Sequence, residues 1–209
     1  MPAGVVQMFE LDWRPSAIVE AGGAIWAEDH AATNRFYVVD PATGATITTI
    51  DARRPCDLVV GFGRVWLVDL ERGSLVSVDP VTRAVLQEVK GLNGPCGPQA
   101  VDGAIWLAVD EGLARVEPST GEVSTITLGG AAFPGAGTPL WAQLYGAGQI
   151  VRVDTRATTA APPVTVPGGT TEDVTVAGAF GSLWVGNGSA NRLYRLNPDS
   201  GAVEAEIQV

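Results

Sequence analysis

The stretch GSLWVGNGSANRLYRLNPDSGAV, residues 181–203, decides the fold, because the chain repeats it in degenerate form. Its first half recurs as AIWAEDH (24–30), RVWLVDL (64–70), AIWLAVD (104–110) and PLWAQLY (139–145). These place Trp26, Trp66, Trp106, Trp141 and Trp184 at spacings of 40, 40, 35 and 43 residues. Its second half recurs as YVVDPATGAT, VSVDPVTRAV, ARVEPSTGEV and VRVDTRATTA, with Asp40, Asp79, Glu117, Asp154 and Asn197 at equivalent positions. Two markers sharing one period define an internal repeat of about 40 residues.

Each repeat reads as four short strands, A to D. Strand A opens on a Pro or polar residue (PSAIVEAG, PCDLVVGF, TEDVTVAG), and strand B carries the Trp. A polar loop leads to strand C (RFYVVDP, SLVSVDP, GLARVEP, QIVRVDT, RLYRLNP), and a turn of the DPATG type leads to strand D (ATITTI, AVLQEV, EVSTIT, PPVTVP, AVEAEI). Pro after the acidic residue presets φ for a tight turn, and the Gly that follows supplies positive φ where the hairpin closes. Short runs of β-branched residues between turns exclude a helical solenoid.

Four strands per repeat predict an all-β chain, a β-propeller of about five four-stranded blades. We read residues 1–209 as one domain with repeats near 15–54, 55–94, 95–128, 129–168 and 169–209. Residues 5–12 are expected to form an extra edge or closing strand. Repeat four is irregular, since GGAAFPGAGTP puts prolines and glycines where strand A belongs. A blade edge left open would offer a route to oligomers. At one equivalent place per strand B, each Trp is expected to pack between neighbouring blades.

Composition narrows the partners. The chain is 46% hydrophobic and 17% charged, with a formal net charge of −10. That is a globular chain able to bury a sizeable core. Nucleic acid is excluded as a partner, because phosphate recognition needs clustered Lys and Arg. No apolar run approaches a membrane span, and the start of the sequence lacks a basic segment followed by a long apolar one. The chain is therefore read as soluble, either cytoplasmic or an exported domain with its signal removed. A single Lys against twelve Arg suggests a GC-rich genome. Cys56 and Cys96 each stand ten residues before a Trp. They are read as two small packing thiols at matching starts of strand A, since approach to disulfide distance is not visible in sequence.

The recurring G-x-[LIV]-W-[LV] and [LV]-x-x-[VL]-[DEN]-P-x-[TS]-G motifs resemble those of bacterial propellers related to streptogramin lyase (virginiamycin B lyase) and the YVTN-repeat proteins. The resemblance covers roughly residues 15–209 and rests on scaffold motifs. For the enzyme of that family it implies a lyase that opens a cyclic depsipeptide by elimination, using His and Glu side chains near a bound magnesium on a seven-bladed ring. This chain has fewer repeats and a single histidine, His30. No catalytic residue is therefore carried over to a numbered position.

In a propeller the B-to-C loops and D-to-A connections share one rim. The B-to-C loops contain Glu28, Asp29, His30 and Asn34, then Asp69, Glu71 and Arg72, then Asp110 and Glu111, then Tyr145, then Asn187, Ser189 and Asn191. The connections add Arg53, Arg54, Asp57, Asn93, Glu172 and Asp173. Asp29, His30, Arg53, Asp57, Asp69, Asp110, Tyr145, Glu172 and Asn187 are the ligand-binding candidates. Asp29, Asp69 and Asp110 are the metal candidates, and a ring of carboxylates would suit Ca²⁺ or Mg²⁺. His30 is the candidate general acid or base. The leading expectation is a non-catalytic propeller that binds a small molecule or a protein partner. The alternative is a lyase, isomerase or hydrolase acting on a small secondary metabolite or cyclic peptide.

Overall fold

The computed structural model describes residues 8–29, 34–168 and 174–209, and the chain divides into two compact units, Met1–Gly91 and Leu92–Val209. Each unit is built from antiparallel meanders, as the repeat predicts. The first holds one sheet of β1 (Pro15–Ala21), β2 (Ala24–Asp29), β3 (Arg35–Val39) and β4 (Thr46–Asp51). Its second sheet is β5 (Pro55–Gly61), β6 (Arg64–Asp69), β7 (Ser74–Val78) and β8 (Val85–Lys90).

The second unit holds three sheets. The third blade is β9 (Cys96–Val101), β10 (Ala104–Val109), β11 (Gly112–Val116) and β12 (Val123–Thr127). The fourth is β13 (Ala132–Pro134), β14 (Trp141–Leu144) and β15 (Gln149–Asp154), with the outer strand split into β16 (Thr159–Ala160) and β17 (Val164–Thr165), both paired to β15. The fifth is β18 (Val174–Ala179), β19 (Ser182–Asn187), β20 (Arg192–Leu196) and β21 (Val203–Gln208). No helix occurs among the described residues.

The repeated Trp explains how blades adhere. Trp26 on β2 is fully buried among Phe36 and Val38 of its own sheet and Leu58, Val65 and Leu67 of the next. Trp106 on β10 is buried against Ala132, Leu140, Ala142 and Val151 of the fourth blade, and Trp141 packs with Leu183 and Val185 of the fifth. Truncating a buried Trp of this kind costs about 3–5 kcal/mol. A buried indole N–H calls for an acceptor, which four of the five find, while that of Trp106 has none among the described residues. Trp26, Trp66 and Trp184 donate to the carbonyls of Ala21, Gly61 and Ala179, each at 3.1 Å, and Trp141 donates to Pro198 O at 2.9 Å.

The second marker is a turn brace. Asp40 Oδ1 accepts the N–H groups of Ala42 and Thr43, both at 2.8 Å, and Asp79, Asp154 and Asn197 repeat the arrangement two and three residues ahead. These N–H donors hold the carboxyls of Asp40, Asp79 and Asp154 below the usual range. Arg83 and Thr158 adopt φ of 65° and 53° at the site where other repeats carry Gly.

Repeat four departs where its sequence does. Strand β13 is only three residues long because the chain then leaves it, and Ala136 bridges Ala177 of β18 in parallel. Two glycines permit that approach. A Cβ on Gly135 would lie 2.3 Å from Val176 O, and one on Gly137 would lie 2.6 Å from Gly178 O.

Residues 8–12 are not in a strand, and residues 5–7 of the expected 5–12 strand lie outside the described residues. Trp13 instead lies flat on Tyr37, with ring centroids 4.1 Å apart and planes 7° from parallel, and packs with Ala27 and Val39. It covers part of the first blade's face opposite Trp26, and Ile18 on the same face stays 62% exposed. The reading of Cys56 and Cys96 as packing thiols is corrected: both are disulfide-bonded. Spacing from a Trp placed them at matching starts of strand A but does not encode the Cα approach an S–S bond needs.

Candidate ligand-binding site

Backbone hydrogen bonds tie the B-to-C loops of the first four blades to D-to-A connections, so the two kinds of loop share a rim within each unit. In the first unit Ala52 N donates to Asn34 O at 2.9 Å and Leu70 N to Arg54 O at 2.8 Å. In the second, Asp110 N donates to Asn93 O, Leu128 N to Glu111 O and Tyr145 N to Ala131 O. The loops follow from the meander, which returns the chain to the same end after strands B and D.

On the first unit's rim lies a cavity of about 370 Å³ lined by Glu28, Asp29, Asn34, Arg53, Arg54, Pro55 and Glu71. It brings together Asp29 and Arg53 of the sequence candidates. Arg53 Nη1 meets Glu71 Oε1 at 3.3 Å in an exposed pair. Arg54 is exposed, and among the described residues its side chain makes no hydrogen bond or ion pair. The cavity therefore offers a cation at its edge and carboxylates in its wall.

Beside the cavity Glu28, 6% exposed, accepts the backbone N–H of Asp57 through Oε2. Asp57 stands at an irregularity of β5 where the pairing register shifts between Pro55 and Leu58, with φ at 76°. Few non-glycine residues adopt such a backbone. Burial, joined by the Glu28 charge, raises the Asp57 carboxyl above its ordinary value, although the Leu58 N–H donating at 2.7 Å opposes this. Sequence reasoning named Asp57 but not Glu28 as its neighbour. The available signal was alignment on Trp, which matches Asp57 with Gly97, itself at φ 58°.

Asp69 and Asn187 are braces, and Asp29 is one as well as lining the cavity. Asp29, 2% exposed, accepts Arg14 N–H at 3.1 Å. Asp69, 3% exposed, accepts Arg53 N–H at 2.9 Å and Arg72 N–H at 3.0 Å, and the Arg72 guanidinium meets it at 3.0 Å. Asn187 accepts Ala190 N–H at 3.1 Å and donates to Pro167 O at 3.3 Å. Each sits at the end of strand B and holds the neighbouring connection in place.

Asp69 already holds an arginine and two N–H groups, and no cluster of three His, Cys, Asp or Glu side chains able to hold a metal occurs among the described residues. Asp110 belongs to the second unit, where its carboxyl crowds Gly94. Tyr145, also there, is half exposed with its ring 5.8 Å from that of Phe133. His30 and Glu172, with Asp173, lie outside the described residues. A larger cavity of about 460 Å³ in the second unit involves none of the rim candidates; Asp102 in its wall is paired with Thr138 and Thr155.

No protein-family model matches the chain, and no curated protein matches it in sequence. Solved structures do. A structure described as streptogramin B lyase superposes with a TM-score of 0.74 at 18% identity, over 93% of this chain and 68% of the other. BamB from Moraxella catarrhalis superposes with a TM-score of 0.73 at 15% identity, over 96% of this chain and 63% of the other. The fold is that of a β-propeller. The chain thus spans about two thirds of the length of these neighbours, and at such identities the likeness carries architecture alone. No helix long and apolar enough to cross a membrane occurs among the described residues.

Proposed function

We propose that the chain is a ligand-binding propeller whose first-unit rim cavity takes a small zwitterion of the amino-acid or short-peptide class. The observation that carries this reading is Arg54, a cation with no side-chain partner among the described residues, at the edge of a cavity walled by Glu28 and Asp29. A free guanidinium suits a carboxylate in bidentate fashion, and the carboxylate wall suits an ammonium group. The size is right for a few residues of peptide. Titrating the ¹⁵N-labelled full chain with the dipeptide Lys-Glu tests it. Saturable shifts confined to residues near 28, 34, 53–57 and 71, abolished by Arg54→Ala, are expected; no saturable shift at millimolar dipeptide would sink the reading.

A second reading is favoured by Asp57, whose carboxyl is biased toward the protonated state that a general acid needs. Beside Glu28 it forms a pair of carboxyls in unlike environments, and the fold is shared with a streptogramin B lyase. Incubation with streptogramin B followed by liquid chromatography and tandem mass spectrometry decides it, because ring opening by elimination gives a linear isomer of the same mass. Product that disappears in Asp57→Asn supports a lyase, and unchanged substrate after long incubation removes it.

A further inference from the structure

The fifth blade repeats the adhesive face of the others but leaves it open. On the third blade that face comprises Ala104 and Trp106 of β10, Leu113 of β11 and Ile126 of β12, and these are 0%, 0%, 0% and 8% exposed beneath the fourth blade. The register puts Ser182, Trp184, Leu193 and Ile207 at the equivalent places on β19, β20 and β21. There Ile207 is 42% exposed, and Trp184 and Leu193 are half-buried. Thr175, Ala177 and Ala179 of β18 extend the same face and are exposed. The opposite face of this blade, through Val174, Leu183, Val185 and Tyr194, is fully buried on the fourth.

Trp184 is already set for burial. Its indole N–H donates to Ala179 O at 3.1 Å, as Trp26 and Trp66 do to their own turns while fully buried. Covering it therefore strands no polar group. Arg195 on this part of the face is paired with Glu204 at 3.6 Å, so a like face meets it without net repulsion.

We propose that this face of the fifth blade is the interface with a second copy of the chain, paired about a two-fold axis so that Trp184 of each copy lies in the contact. Four strands at about 4.8 Å spacing and five residues at about 3.3 Å rise give a face near 320 Å² in plan. With side-chain relief, two such faces remove roughly 1,000 Å² of accessible surface, where specific interfaces begin. A neighbour's first blade offers less apolar surface for head-to-tail stacking, because Trp13 stacked on Tyr37 already covers part of that blade's face and the exposed part carries Glu20 beside Ile18. A two-fold contact of this face with itself is self-complementary and stops at two.

Sedimentation velocity and light scattering of the full chain across the micromolar range test this. The expected mass is twice 21.6 kDa. Ala177→Arg and Ile207→Lys, both at exposed positions, should each weaken the dimer at least tenfold while the unfolding midpoint of the monomer stays unchanged. A monomer at every concentration overturns the proposal and gives the face to a different partner, such as a further blade. So does a dimer indifferent to both variants, or an assembly larger than two.

Discussion

Replacing Asp69 with Ala separates a brace from a ligand at the rim. Asp69 accepts two backbone N–H groups, from Arg53 at 2.9 Å and Arg72 at 3.0 Å. Each hydrogen bond to a charged acceptor contributes about 1.5–3 kcal/mol. The Arg72 guanidinium at 3.0 Å is 44% exposed, so that ion pair adds at most about 1 kcal/mol. Water can reach some of the freed donors at the rim, which reduces the total to about 2–4 kcal/mol. For a chain of this size each kcal/mol shifts the melting midpoint by roughly 2–4 °C. Asp51→Ala is the control: its carboxylate is 77% exposed and meets only the half-exposed Arg35 at 3.3 Å. It should lower stability by no more than about 1 kcal/mol. Denaturant and thermal unfolding of the two variants side by side is the assay. Equal effects would refute the view that Asp69 holds the connection, and would return it to the pool of ligand residues.

Gly135→Ala should destabilise by about 1–3 kcal/mol, because the new Cβ meets a backbone oxygen that cannot yield, whereas Gly130→Ala, in open space, should be nearly neutral by the same unfolding assay. Asp57 binds its proton more tightly in the folded than in the unfolded chain, so stability falls as pH rises from the unfolded value of about 3.8 through the raised folded value. Asp57→Asn, which tolerates positive φ, should therefore be more stable than the parent at neutral pH, with the gap closing as pH falls toward 4 in parallel denaturation curves. Thiol titration of the denatured, unreduced chain should find no free cysteine, and two after reduction.

Much of the fold was legible because scaffold chemistry repeats. Trp recurs on the adhesive face of every blade, although Trp184 on the fifth is only half-buried rather than packed between blades as expected, and an acidic or Asn residue recurs where a turn needs an acceptor for two N–H groups, so both carry a period. The site was less legible for a physical reason. Asp69 and Asn187 have the residue types of a binding rim, yet their side chains are taken up by the hydrogen bonds of neighbouring loops, whereas Asp29 accepts Arg14 N–H and still lines the cavity, a distinction that depends on angles and burial rather than identity. Glu28 escaped notice as the partner of Asp57 because the two lie in different repeats and meet only through the register of adjacent blades. Trp13 escaped because it stands outside the period, although it covers a blade face as the periodic Trp residues do.

The claim that the first-unit rim cavity is a binding site is tested most directly by a crystal structure of the full chain soaked with Lys-Glu. The account predicts ordered density bounded by Arg54 on its carboxylate side and by Glu28 and Asp29 on its ammonium side. A vacant cavity at saturating dipeptide, with the Arg54 guanidinium turned into solvent, would contradict it.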